Sequence, residues 1–224
     1  YILQLHKVLY SHMSNPMAGK TKNVQNYISA SYPDGHSETL FTPLAPFETP
    51  EALDRICEEY ARVTGNAEVE PLIAIPVFIH DFLCIHPFND GNGRMSRLLT
   101  TLLLYQNGFY VGRYISLEAK IAKNKELYYD ALRSSQNGWH EGKEDPVPFI
   151  KYLLGTILAA YRDFDDRFAL VETKLSAEET VRRATMQKIG RFKKQDIREM
   201  CPSLSISSVE GALRKLVAAG ELKR

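Results

Sequence analysis

The sequence predicts an all-α body that carries one β-hairpin, followed by a small helix-turn-helix domain of the winged kind. Three observations lead there. Helical periodicity runs through most of the 224 residues. A single β-prone stretch, "KNVQNYISASYPDGHSETLFTP" (22–43), is divided by a "PDG" turn signal. From about residue 176 the apolar pattern shortens and the charge balance reverses. Residues 176–224 carry eleven Lys or Arg against six Asp or Glu, and the preceding 175 carry seventeen against twenty-one. The expected division is therefore a mildly acidic body, 1–175, and a basic module, 176–224.

The hairpin comes first, at 22–43. "TPEALDRICEEYARV" (49–63) reads as a helix with Thr49 as N-cap, Pro50 at the first helical position and acids early. "PLIAIPVFIHDFLCI" (71–85) is apolar nearly all round, which predicts a central buried helix with Pro76 inside it. "RMSRLLTTLLLYQNG" (94–108) predicts a second buried helix closed by Gly108. Residues 116–136 and 145–168 read as two further amphipathic helices. The tail predicts helices over 178–189, 194–200 and 208–219, the last with Val209, Leu213, Leu216 and Val217 on one face.

Composition narrows the class. With 44% hydrophobic and 25% charged residues the chain is ordinary for a globular protein. The longest apolar run, 71–79, is too short to span a bilayer, and no charged-then-apolar leader opens the sequence. Cys57, Cys84 and Cys201 are scattered and form no CxxC pair, which fits a reducing cytosol and predicts a cytoplasmic protein without a membrane partner.

Between the two greasiest helices stands "HPFNDGNGRMSR" (86–97). "DGNG" precedes a helix, so unpaired backbone N–H groups there favour an anion. Gly91 and Gly93 let the backbone approach a phosphate closely. Arg94 and Arg97 lie in the first helical turn, where cations oppose the helix dipole; a bound polyanion would compensate, and arginines three residues apart share a face. Asp90 suits Mg²⁺, which takes one or two carboxylates plus substrate phosphates. His86 supplies a group able to take a proton near neutral pH. Base, metal ligand, anion nest and arginine pair within twelve residues predict a phosphoryl- or nucleotidyl-transfer site.

At every defining position the same twelve residues resemble the HxFx(D/E)GNGRxxR signature of the Fic family. "IHDFLCIHPF" resembles that family's helix leading into the motif, 22–43 its target-positioning flap, and "YYDALRSSQ" (128–136) its nucleotide-side helix. The resemblance implies the Fic helical bundle over roughly 1–170 and transfer of AMP from ATP to a Ser, Thr or Tyr hydroxyl. It implies His86 as general base, Phe88 as buried anchor and Asp90 as Mg²⁺ ligand. Gly91, Asn92 and Gly93 would cradle the phosphates, with Asn92 counted among the catalytic residues. Arg94 would stabilise the leaving pyrophosphate and Arg97 would reach the γ-phosphate. Tyr129 and Gln136 are implied near the adenine, Gln136 standing where an Asn is expected. The target protein would dock on the flap, self-modification is a further outcome, and the tail would take DNA or a protein partner.

Many Fic proteins restrain themselves through a helix bearing (S/T)xxxE(G/N), whose Glu pairs with the arginine matching Arg97. This sequence lacks that motif. The nearest match, "ISSVEG" (206–211), has Ile206 where Ser or Thr belongs. The expectation is an uninhibited chain, with the inhibitory helix either preceding Tyr1 or replaced by a partner.

Other readings fit less of the sequence. "AGKT" (18–21) ends like a P-loop, but the required first glycine is Ser14. His80–Asp81 forms an "HD" pair, for which a metal phosphohydrolase would have to recruit His6 or His12 and Asp130. The alternatives in function are a DNA-binding regulator with a Fic-like sensor body, or a Fic enzyme that transfers another phosphate-containing group or removes AMP.

Overall fold

The computed structural model describes residues 1–31, 34–172, 176–186 and 192–222. They form two units, Tyr1–Arg162 and Asp163–Arg224. The fold is all-α apart from one small hairpin.

In the first unit the chain opens with α1 (Ile2–Leu9), a helix not foreseen from sequence because eight residues give barely two turns of periodicity. The hairpin pairs β1 (Ile28–Ser31) antiparallel with β2 (Ser37–Phe41), matching Ser31 to Ser37 and Ile28 to Phe41. Pro33 of the expected turn lies outside the described residues, whereas Gly35 has the positive φ of 86° that such a turn requires.

Helix α2 (Thr49–Gly65) has Pro50 in its first turn. Its N-cap is Glu48, not Thr49. The Thr49 hydroxyl instead donates to the Ala45 carbonyl at 2.9 Å, inside the helix start. Helix α3 (Pro71–Ile85) runs through Pro76 and buries ten of its residues, as expected of a stretch apolar all round. It lies against α2 and against α4 (Asn92–Gln106), and also touches α6. The stretch 116–136 is two helices rather than one, α5 (Leu117–Lys123) and α6 (Lys125–Gln136). Asn124 between them leaves the helical region at φ −120° and ψ 43°, in keeping with the poor helical propensity of asparagine. Helix α7 (Val147–Glu172) extends beyond the expected 168, and the boundary between the units falls inside it.

The second unit packs α8 (Ala177–Met186), α9 (Lys194–Met200) and α10 (Ile206–Ala218) around Val181, Ala184, Ile197, Cys201, Val209, Leu213 and Leu216. Positions 187–189 of the expected first tail helix lie outside the described residues, and among the described residues of this unit there is no strand. Several of its charges meet within the unit. Arg182 meets Glu178, Glu179 and Glu221, Lys215 meets Glu178, and Lys194 meets Glu210. Among the described residues no helix is long and apolar enough to cross a membrane.

Candidate active site

The site begins where α3 ends. Pro87 disfavours an α conformation for the residue before it, and His86 takes the left-handed region at φ 53° and ψ 61°. Its backbone N–H still closes the helix on the Phe82 carbonyl at 2.9 Å. The ring Nδ1 lies 3.2 Å from the Leu83 carbonyl, an acceptor only, so Nδ1 carries the hydrogen and Nε2 keeps its lone pair. Burial pulls the imidazole down to about 4. The nearby positive charge of Lys22 adds to that, and the Leu83 carbonyl opposes it. At neutral pH His86 is an uncharged base of fixed tautomer.

The loop after it is stapled from within and from outside. Asn92 accepts from the Phe88 N–H at 2.9 Å and donates to the Phe88 carbonyl at 2.6 Å. Its side chain is thus committed to the loop, and what it offers a ligand is its backbone N–H. Phe88 is fully buried and stacks on the His6 ring with centroids 3.7 Å apart. His6, also buried, accepts at Nδ1 from the Gly19 N–H at 2.9 Å, which leaves Nε2–H to donate to the Asp90 carbonyl at 3.0 Å. Burial lowers its pKa, so this bridge is a neutral one.

Asp90 receives three hydrogen bonds at its carboxylate: Tyr10 Oη at 2.5 Å and Arg94 Nη2 at 2.9 Å on Oδ2, and the Gly91 N–H at 2.7 Å on Oδ1. Arg94 also donates to Tyr10 Oη, and its guanidinium lies over the Tyr10 ring. The Tyr10 bond, followed by the Gly91 and Arg94 contacts, holds the Asp90 carboxyl below the usual range despite some burial. Burial and the facing carboxylate push the Tyr10 phenol up to about 12. A carboxylate has about four lone-pair positions, so three bonds leave roughly one for a metal. Among the described residues no three His, Cys, Asp or Glu side chains gather into a metal cage. A lone carboxylate fits Mg²⁺ arriving on substrate phosphates, not a resident ion.

Gly91 is required twice over. It has φ 86°, and a Cβ there would stand 2.8 Å from Tyr10 Oη. Helix α4 then starts at Asn92 with no side-chain cap, so the amides of Asn92, Gly93 and Arg94 remain for an anion. A Cβ on Gly93 would sit 3.4 Å from Arg97 Nη1. Arg97 is not alone. Its Nε donates to Glu118 Oε1 at 2.9 Å, from the first turn of α5.

Tyr129 is half exposed on α6, with the Lys125 ammonium 5.6 Å from its ring centre. Gln136, at the end of α6, is only 7% exposed, and among the described residues its Nε2 finds no hydrogen-bond partner. It lines a cavity of about 690 Å³ shared with β2, Arg133, Trp139 and His140. The dipeptide His80–Asp81 does not form a metal pair. His80 is buried beside Cys84, and Asp81 accepts from Trp139 Nε1 at 2.9 Å.

Sequence reasoning overlooked His6 as a loop support, and with it Tyr10, Lys22, Asn26 and Glu118. All lie far along the chain from the residues they hold. The one signal available for Lys22 was its place at the start of the flap stretch.

The assembled loop can do two things together: hold a polyphosphate on open amides and guanidiniums, and accept a proton beside it. That chemistry coincides with the kinship of the chain. Residues 1–104 match the model of the Fic/DOC family. It is 28% identical over 111 residues to a Fido domain-containing protein of Dictyostelium discoideum, covering 48% of this chain and 73% of that one. It is 31% identical over 152 residues to protein adenylyltransferase Fic of Drosophila willistoni, covering 68% of this chain and 26% of that protein. The chain thus spans about a quarter of that adenylyltransferase. A Fic family protein from Desulfovibrio desulfuricans has the same fold, with a TM-score of 0.56 at 20% identity over 97% of this chain and 61% of its own.

Proposed function

We propose that this chain transfers AMP from ATP to a hydroxyl group of a target protein. The observation that carries the reading is the pairing of a neutral His86, with Nε2 unprotonated, and an uncapped α4 N-terminus eight residues or fewer along the same loop. The relatives named protein adenylyltransferase agree with it.

In the proposed reaction the target hydroxyl gives its proton to His86 Nε2 while its oxygen attacks the α-phosphorus. The bond between the α-phosphorus and its bridging oxygen breaks, and pyrophosphate leaves with its negative charge. The Asn92, Gly93 and Arg94 amides and the Arg94 guanidinium would bind that charge as donors held in position before it develops. Arg97 would reach the terminal phosphate once it parts from Glu118. Mg²⁺, when bound with the nucleotide, supplies charge neutralisation, and Asp90 is the carboxylate that would hold it. Tyr129 and Gln136 are proposed on the nucleoside side, Gln136 where it lines the cavity beside β2. The hairpin would present a strand edge to the target.

Incubation with ATP labelled at the α-phosphate and, separately, at the γ-phosphate tests the reading. Label retained on protein from the α-phosphate only, and lost in His86→Ala, is the expected result. Retention from the γ-phosphate would mean phosphate transfer instead.

A further inference from the structure

Lys22 is 3% exposed, in the segment between α1 and the hairpin. A buried ammonium ordinarily faces a carboxylate, because taking a charge out of water without compensation is costly. This one does not. Nζ donates to the Ile85 carbonyl at 2.9 Å and to Asn26 Oδ1 at 3.2 Å, both neutral. Burial lowers its pKa to about 8, which still leaves it mostly charged at neutral pH.

The surroundings tie this segment to the loop bearing His86. The Lys22 N–H donates to the Pro87 carbonyl at 2.7 Å. Asn26 Nδ2 donates to the Phe88 carbonyl at 3.0 Å. Asn23 and Asn89 exchange two bonds, side chain to side chain at 2.8 Å and Asn23 N–H to Asn89 Oδ1 at 3.3 Å. The segment entering the flap is thus fastened to residues 85–89 along its length.

We propose that Lys22 is a positioning residue for the His86 base, fastening the root of the flap to the end of α3 and keeping a positive charge beside the imidazole. The inference rests on the reading of His86 as the base. Ile85 carries the last carbonyl of α3, the negative end of the helix, and a helix C-terminus favours a protonated histidine. An unopposed His86 at that place would gain a proton more readily. The Lys22 ammonium, bonded to that same carbonyl, opposes the second positive charge. Among the described residues it is the charge that registers on the imidazole. Asp90 and Arg94, on the far limb of the loop, are bonded to each other and to Tyr10.

The test needs no nucleotide, so it stands or falls apart from AMP transfer. The His86 ring resonance of the whole chain is titrated by NMR, with His86→Ala used to assign it. Lys22→Gln keeps donors and removes the charge, and Lys22→Arg keeps both. The expected result is a His86 midpoint moved up by about one pH unit in Lys22→Gln and nearly restored in Lys22→Arg. A Lys22→Gln midpoint equal to that of wild type overturns the proposal. Should Lys22→Gln fail to fold, the wild-type ring ¹⁵N shifts at pH 6 decide. The neutral, Nδ1-protonated form is expected, and an imidazolium overturns the proposal.

Discussion

The loop over residues 86–97 and the C-terminal unit are both rich in charge, and they handle it in opposite ways. In the C-terminal unit Arg182 meets Glu178 and Glu179 a helical turn away and Glu221 across one small core, so this cluster of charges is answered within the unit and at its surface. At the loop Ile85, Asp90 and Arg94 are held by Lys22, Tyr10 and His6, from 63 to 84 residues distant, and the α4 amides are left open. Density of charge does not mark a site. Charge held in place by remote groups, with donors still free, does.

That contrast can be broken most severely at His86. His86→Ala should lower transfer by about 10²- to 10⁴-fold, the range for loss of a positioned base, with an unchanged melting temperature. An equal loss from Arg182→Ala would erase the distinction between the two regions. Gly91→Ala comes next. Its left-handed backbone alone should cost about 1–2 kcal/mol of stability, with more from the contact at Tyr10 Oη, read by denaturant unfolding. A variant as stable as wild type would show that the loop is not held as described.

The pH profile sharpens the same point. Because the His86 pKa is lowered to about 4, transfer should persist well below the usual histidine range and fall as pH approaches 4. Unfolded histidine titrates near 6.5, so between about 6.5 and 4 the unfolded chain binds the extra proton and His86 contributes a loss of stability as pH falls. Smaller still is the effect at Glu118. Glu118→Ala frees Arg97 and should tighten ATP binding by about two- to fivefold, the scale of an exposed ion pair, as measured by calorimetry. Weaker binding would mean that Glu118 helps to place the arginine.

The parts of this site that could be read from sequence are those that lie next to each other in it. His86, Asp90, the glycines and the two arginines fall within twelve residues, and their chemistry is a matter of local backbone and side-chain type. The supports were hidden because no local pattern reports a contact between Tyr10 and Asp90, or between Lys22 and Ile85. The side-chain contacts of Asn92 were hidden for a related reason: the sequence offers an amide beside two glycines, and only the fold turns that amide back onto Phe88. The helices followed the same rule. Long, strongly apolar α3 and α4 were evident, whereas eight-residue α1 and the break at Asn124 depend on packing and on one residue's dihedral angles.

The central claim is that nucleotide is held at the α4 N-terminus and its arginines. Calorimetric titration of the whole chain with ATP and Mg²⁺ tests it most directly, beside Arg94→Ala and Arg182→Ala. Binding to wild type and to Arg182→Ala, and at least tenfold weaker binding to Arg94→Ala, about 1.4 kcal/mol, is the predicted result. Equal affinity in wild type and Arg94→Ala, or no binding by wild type, would contradict it.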